Sequence, residues 1–370
     1  MATPTLYNFS PVLWLALVGL LLGGGPLLWN WWRHRHDPPA VRLRALTWLT
    51  LFLTFDLVVF GAFTRLTDSG LGCPDWPGCY GAASPLGAHA DIQAAQTAMP
   101  TGPVTHGKAW VEMVHRYLAT GVGVLIIALA IGSWRAHRRG DAALSPWWAT
   151  VTLVWVCLQG AFGALTVTMK LYPAIVTLHL LGGMGLLVLL AVQGEAYERK
   201  PLALSRALHG GVWALALLTV VQIALGGWVS TNYAVLACRD FPTCQGEWWP
   251  AMDFEHGFTI ARELGAGKSG GYLPFAALTA IHVTHRVGAF IVLTLMLLVS
   301  WGLRQAGGPA HRRFAVALLA LAAWQFLSGL SNVVLGWPLV AALAHTTGAA
   351  VLITVISVVV VRARQAGLAS

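Results

Sequence analysis

The chain has 370 residues, 57% hydrophobic and only 10% charged, with a formal net charge of +9. A soluble domain carries roughly 25% charged residues, so this composition excludes an ordinary soluble core. Runs of ~20 apolar residues, the length that spans a bilayer, recur along the chain. The surplus positive charge sits in short connections between them, which argues against nucleic acid as a partner.

Nine spans are predicted, at 11–31, 43–63, 109–133, 146–168, 173–193, 209–230, 276–302, 314–336 and 338–361. The first is followed by a basic loop and has no small-residue cleavage site. It is therefore a retained span rather than a signal peptide. With no Arg/Ser-rich transit segment before it, a bacterial inner membrane is expected. Arg33, Arg35, Arg42 and Arg44 follow the first span. Arg135, Arg138 and Arg139, then Arg199, Lys200 and Arg206, then Arg304, Arg312 and Arg313, and finally Arg362 and Arg364 follow later ones. These clusters occupy every second connection, which the positive-inside rule makes cytoplasmic. The amino terminus and the loops 64–108 and 231–275 then lie outside, and the carboxyl terminus lies in the cytoplasm.

The second span runs into "GAFTRLTDSGLGCPDWPGC", Gly61 to Cys79. Shifted by 165 residues, "CPDWPGC" at 73–79 falls on "CRDFPTC" at 238–244, with Gly61 on Gly226, Asp75 on Asp240 and Pro77 on Pro242. At an offset of 166, Gln159 falls on Gln325, Gly163 on Gly329, His179 on His345 and Gly182 on Gly348. Spans two to five therefore repeat as spans six to nine, as parallel repeats. The expected fold is all-α and membrane-embedded: an extra helix with its loop over 1–42, one four-helix bundle over 43–200 and a second over 201–370.

Most of the 13 histidines fall in loops. His115, His179, His285 and His345 do not. Each lies six to ten residues into a span running from outside to inside, so at 1.5 Å per residue they share one depth. Ionisable groups in hydrocarbon are costly and usually functional. Two neutral imidazoles from facing helices of a four-helix bundle suit a haem iron, whereas zinc wants three or four protein ligands at one point. Glycines one turn beyond a ligand, Gly182, Gly183 and Gly348, admit either a flat macrocycle or a neighbouring helix. Arg116 and Arg286 directly follow their histidines and suit either haem propionates or structural pairing with loop carboxylates. His282 is an alternative ligand to His285, but the His-Arg pair favours His285.

The halves differ in one respect that suggests chemistry. In "EMVHR", Glu112 precedes His115 by three residues, on the same helix face. The second half has His282 there. A carboxylate beside a haem can shuttle protons or stabilise developing positive charge; its structural alternative is to orient an imidazole or pair with Arg116. Asp56, a second carboxylate within a span, reads equally as a proton relay or a structural hydrogen bond, and its repeat mate is Val221. Cys157, alone in a span, is expected to pack.

At these residues the sequence resembles the haem A synthase family. The likeness rests on "GAFTRLTDSGLGCPDWPGC", "EMVHRYLATGVG", the His179 and His345 helices and the two cysteine loops, and covers all but the first span. The resemblance implies an enzyme that oxidises a methyl group of haem O, a farnesylated haem, to a formyl group through an alcohol, giving haem A for terminal oxidases. It implies that His115 and His179 form the substrate pocket with Glu112 beside them, and that His285 and His345 hold a permanent haem b. Haem O synthase and oxidase assembly factors are the expected partners, with a separate redox partner and a possible homo-oligomer. The cysteine loops would face the oxidising periplasm, where Cys73 pairs with Cys79 and Cys238 with Cys244. The second pair reads as a staple; the first reads equally as a staple or a redox pair. The alternative functions are a dihaem electron-transfer cytochrome and a haem transporter or chaperone.

Overall fold

A computed structural model describes residues 8–141, 145–267 and 271–367. Its long elements are α1 (Ser10–Arg33), α2 (Pro39–Leu66), α4 (His106–Arg138), α5 (Trp147–Thr168), α6 (Pro173–Ala196), α7 (Arg206–Thr231), α9 (Phe275–Gln305), α10 (Pro309–Val334) and α11 (Leu339–Gly367). Among the described residues these nine helices are long and apolar enough to cross a membrane. Hydrocarbon offers backbone amides and carbonyls no partner, so spanning segments close their hydrogen bonds internally as helices. The chain is an all-α, multi-pass integral membrane protein. Two short helices that the sequence did not announce, α3 (His89–Ala98) and α8 (Phe254–Gly257), sit in the two long loops.

By contacts the chain divides into compact units at 1–171 and 172–370. In the first unit α4 is the centre, and α1, α2 and α5 each pack on it. Helix α1 docks through small residues: a Cβ at Gly23 would lie 2.6 Å from the Gly121 carbonyl oxygen and 2.9 Å from Val124. Removing side chains in this way lets two backbones approach where no hydrophobic force drives them together. Helix α5 meets α4 along a limited strip, so Cys157, expected to pack, is instead exposed on its surface.

In the second unit α7, α9, α10 and α11 close a ring, each meeting its neighbour. Leu215, Met296, Leu303, Leu318 and Ile356 fill its core. Helix α6, assigned by the repeat to the first bundle, groups by contact with this unit. Thr177 and Leu180 pack on Gly227 of α7. The Glu195 carboxylate accepts two hydrogen bonds from Arg362 of α11, at 2.7 and 2.9 Å.

The two cysteine loops share a local design. Disulfides join Cys73 to Cys79 and Cys238 to Cys244, with Cα–Cα distances of 4.8 and 4.7 Å. Trp76–Pro77 and Phe241–Pro242 are both cis. The Asp75 carboxylate accepts from the Tyr80 and Gly81 amides at 2.6 and 2.7 Å. Asp240 accepts from the Gln245 and Gly246 amides at 2.8 and 2.9 Å. These amides belong to left-handed turn residues, Tyr80 (φ 52°) and Gly81 (φ 71°), Gln245 (φ 58°) and Gly246 (φ 77°), a conformation that needs such local anchoring in a residue with a Cβ. The first loop has a further support. Asn8 Nδ2 donates to the Gly81 carbonyl at 3.1 Å, and Leu15 of α1 joins Cys73, Cys79, Ile92 and Met113 in one buried cluster.

Two predictions follow from this packing. Gly23→Leu should lower detergent-solubilised stability by about 1–3 kcal/mol in thermal unfolding, because its side chain has no room against α4. Gly24→Leu, where a Cβ meets nothing within 4 Å, should leave it unchanged; equal effects would refute the docking. The hydroxyl of Thr243, then the Gly246 and Gln245 amides, holds the Asp240 carboxyl at about 2, below its ordinary 3.8. A depressed carboxylate contributes stability present above the unfolded value and lost as pH falls through the folded one. Hydrogen exchange should show the Gln245 and Gly246 amides protected from neutral pH to about 3 and released near 2, with Asp240→Asn removing the protection throughout.

Candidate haem-ligand site

The second unit brings two of the four singled-out histidines together. His285 on α9 and His345 on α11 face each other with ring centroids 6.4 Å apart and planes near perpendicular. Glycines make room for both rings. A Cβ at Gly226 of α7 would lie 3.0 Å from His285 Cε1, and one at Gly329 of α10 would lie 3.2 Å from His345 Cε1. The matched glycines of the repeat are thus places where a helix backbone passes directly over an imidazole.

Each imidazole is also oriented through Nδ1. The Ser328 hydroxyl donates to the Trp324 carbonyl at 2.7 Å, so its oxygen accepts from His345 Nδ1–H at 2.9 Å. That fixes the tautomer and leaves Nε2 with its lone pair for a metal. His285 Nδ1 lies 3.0 Å from the side-chain amide of Gln222, a group able to donate or accept. Gln325 Nε2 donates to the His345 carbonyl at 3.1 Å. Two metal–imidazole bonds of about 2 Å, with the ring radii added, come to roughly the observed spacing. The donor set, two neutral imidazoles with no acidic or cysteine companion, fits a haem iron. Among the described residues no group of three or more His, Cys, Asp or Glu is placed to hold a metal ion alone.

Gln222, Ser328 and the helix-facing glycines were not recognised as site residues from sequence. Gly226, Gly329 and Gln325 carried a signal, since each matched a partner in the repeat. Gln222 and Ser328 broke that match: the offsets place Leu57 and Phe162 opposite them. His282, the alternative ligand, is turned away. It is buried, with Nδ1 at 3.1 Å from the Ala234 carbonyl. Gly348 admits a neighbouring helix, for a Cβ there would fall 2.6 Å from Trp324.

In the first unit, His115 on α4 packs against α2. Its ring stacks on Phe60 with centroids 6.3 Å apart, and a Cβ at Gly61 would lie 2.9 Å from its Nε2. Glu112, one turn nearer the cysteine loop, is buried. Its Oε2 accepts from the Cys73 amide at 2.8 Å, and its Oε1 accepts from Arg116 at 2.5 Å. Arg116 also donates to the carbonyls of Gly78, at 2.6 Å, and Pro77, at 3.3 Å. Arg286 repeats the gesture in the second unit, donating to the Thr243 and Cys238 carbonyls at 2.8 and 3.1 Å. These contacts tie both arginines to carbonyls of the cysteine loops. Gly72 closes the same junction: a Cβ there would lie 2.5 Å from the Lys108 carbonyl oxygen, so the loop backbone rests on α4. Asp56 is exposed on α2. His179 lies on α6, which belongs by contact to the second unit, and is partly exposed on a face turned from the Thr177–Leu180 contact with α7.

Comparison with known proteins gives the lineage. The family model described as COX15-CtaA, cytochrome oxidase assembly protein, matches residues 44–357, every spanning helix except α1. A protein of Shewanella oneidensis named "Heme A synthase" is 36% identical over 315 residues, 83% of this chain and 93% of the relative. Proteins of the same name from Methylobacterium sp. strain 4-46 and Halalkalibacterium halodurans are 30% and 27% identical, covering 83% and 81% of this chain and 88% and 90% of their own. The chain belongs to the COX15-CtaA cytochrome oxidase assembly protein family.

Proposed function

We propose that the protein is a haem A synthase of a bacterial inner membrane. It oxidises a ring methyl group of haem O to a formyl group through an alcohol, and supplies haem A to terminal oxidases. The basic clusters support a topology with the cysteine loops and amino terminus on the periplasmic side and the carboxyl terminus in the cytoplasm. Haem O synthase, oxidase assembly factors and a redox protein are the expected partners, and a homo-oligomer is compatible with the exposed helix faces.

The observation that carries this reading is the contrast between the two halves. His285 and His345 are each tethered through Nδ1 by a polar side chain, as suits a pigment that stays. The positions that supply those tethers are Leu57 and Phe162 in the first half, and the place of His282 is taken by Glu112. His285 and His345 would hold haem b, which when bound supplies one-electron transfer.

The resemblance to the family assigns His115 and His179 to haem O. Glu112 sits one helical turn from His115, where it can take up a proton or stabilise positive charge developing at the substrate methyl. Arg116 holds that carboxylate in place and, with Arg286 in the other half, ties a cysteine loop down over its bundle. Leaving one partner of a buried ion pair alone is strongly destabilising, so Glu112 and Arg116 position each other. The disulfides keep the loops closed on the oxidising side.

A dihaem electron carrier is the second reading, favoured by the His285–His345 pair taken alone. Membranes co-expressing a haem O source separate the two by pigment extraction. Haem A should appear with the intact chain; haem O and haem b without a formyl haem would support the carrier. Glu112→Ala should retain haem b while lowering haem A formation by about 100-fold or more; an undiminished rate would contradict the catalytic assignment and favour a transporter or chaperone. Ser328→Ala should weaken haem b retention about 10–100-fold in competition with an apo-globin, and normal retention would remove the tether argument.

A further inference from the structure

A groove between α4 and α5 joins apolar walls to uncompensated positive charge. Ile131, Trp134, Arg135 and Arg138 recur at i, i+3, i+4 and i+7, along one face of α4. Thr150 and Leu153 meet them from α5, and together these residues line a cavity of about 350 Å³. Its floor is made of groups that are already satisfied. Trp134 Nε1 donates to the Thr150 hydroxyl at 3.0 Å, and that hydroxyl donates to the Pro146 carbonyl at 3.0 Å. Trp147 packs edge-on against Trp134, with centroids 5.7 Å apart. The floor therefore offers a partner shape and apolar surface.

The arginines offer charge. Both are exposed, and among the described residues neither guanidinium makes a hydrogen bond or ion pair. Arg139 adds a third cation, and Asp141 is the one acidic residue between 134 and 150. The charge lies at one end of the groove. Arg135 and Arg138 are four and seven residues beyond Ile131, so they stand ~6 and ~10 Å nearer the end of α4. Leu153 lies likewise six residues inside the start of α5. Trp134 and Trp147 mark the level between the two zones, where tryptophans favour the headgroup boundary. Cations at the membrane edge, an aromatic belt beneath them and an apolar channel running inward are the complement of a phospholipid. A free phosphate would use the first of these alone. Basic pockets between spanning helices on the cytoplasmic side suit anionic headgroups, and the proposed topology puts this end of α4 on that side.

We propose that the α4–α5 groove binds an anionic phospholipid of the cytoplasmic leaflet, its phosphate between Arg135 and Arg138 and an acyl chain along Ile131 and Leu153. Within its unit α5 packs on α4 alone, so a lipid seated in this seam also fastens α5.

Native mass spectrometry of the purified full-length protein in detergent tests this, with phosphatidylglycerol and phosphatidylcholine of matched acyl chains as probes. Phosphatidylglycerol should bind about thirtyfold more tightly, as for two cationic contacts. Arg135→Gln combined with Arg138→Gln should erase that difference. Arg312→Gln combined with Arg313→Gln, the same change of charge at the start of α10, should preserve it. Leu153→Trp, which fills the groove without altering charge, should weaken phosphatidylglycerol binding, and circular dichroism checks that each variant is folded. Equal affinity for the two lipids in the unaltered protein, or equal losses in the two double variants, would overturn the proposal. Displacement of the lipid by glycerol phosphate, which has no acyl chain, would reduce the groove to an adventitious anion site and overturn it as well.

Discussion

The structure turns on placing polar imidazoles inside hydrocarbon and satisfying them there. A bilayer offers no water to an unpaired nitrogen, so each ring needs a partner for both of its nitrogens. In the second unit one side of the problem is solved by the protein. Ser328 and the Gln222 amide engage Nδ1, and glycines at 226 and 329 bring helix backbones over the rings. What remains is a pair of Nε2 positions across a spacing that a single metal centre would close. On the proposed reading, the haem completes the polar accounting of the bundle.

The same economy governs the helix ends. Arg116 and Arg286, each one residue past its histidine, reach out of the bundle to loop carbonyls. A charged side chain near the membrane edge thereby fixes both the helix that carries the ligand and the disulfide loop above it. In the first unit the junction is tighter. Glu112, Arg116, the Cys73 amide and the Gly72 backbone meet in one buried knot, and Leu15 of α1, with Asn8 just before that helix, buttresses the far side of the loop. A change in the cysteine loop is therefore felt directly at the carboxylate one turn from His115.

Much of this was legible in the sequence because lipid imposes a strong rule. A span must be helical and long, so hydropathy located all the membrane helices to within a few residues. The cysteine loops were legible because Cys, Asp, aromatic and Pro recur at one spacing. Other features depended on which helix face meets which neighbour, and composition does not encode that. Cys157 looked like a packing residue but lies on an α5 face that nothing among the described residues covers. Helix α6 follows the first four-span repeat in sequence, yet its Thr177, Leu180 and Glu195 contacts place it with α7 and α11. Gln222 and Ser328 are not legible in the sequence because their importance lies in departing from the repeat.

The central claim is that His285 and His345 clamp one iron between their Nε2 atoms. Electron paramagnetic resonance of the purified, oxidised protein tests it most directly. The account predicts a low-spin ferric haem with two imidazole ligands, converted to a high-spin signal or lost when either histidine is replaced by alanine. A protein that carries no haem signal, or one whose low-spin signal survives the loss of both side chains, would contradict it.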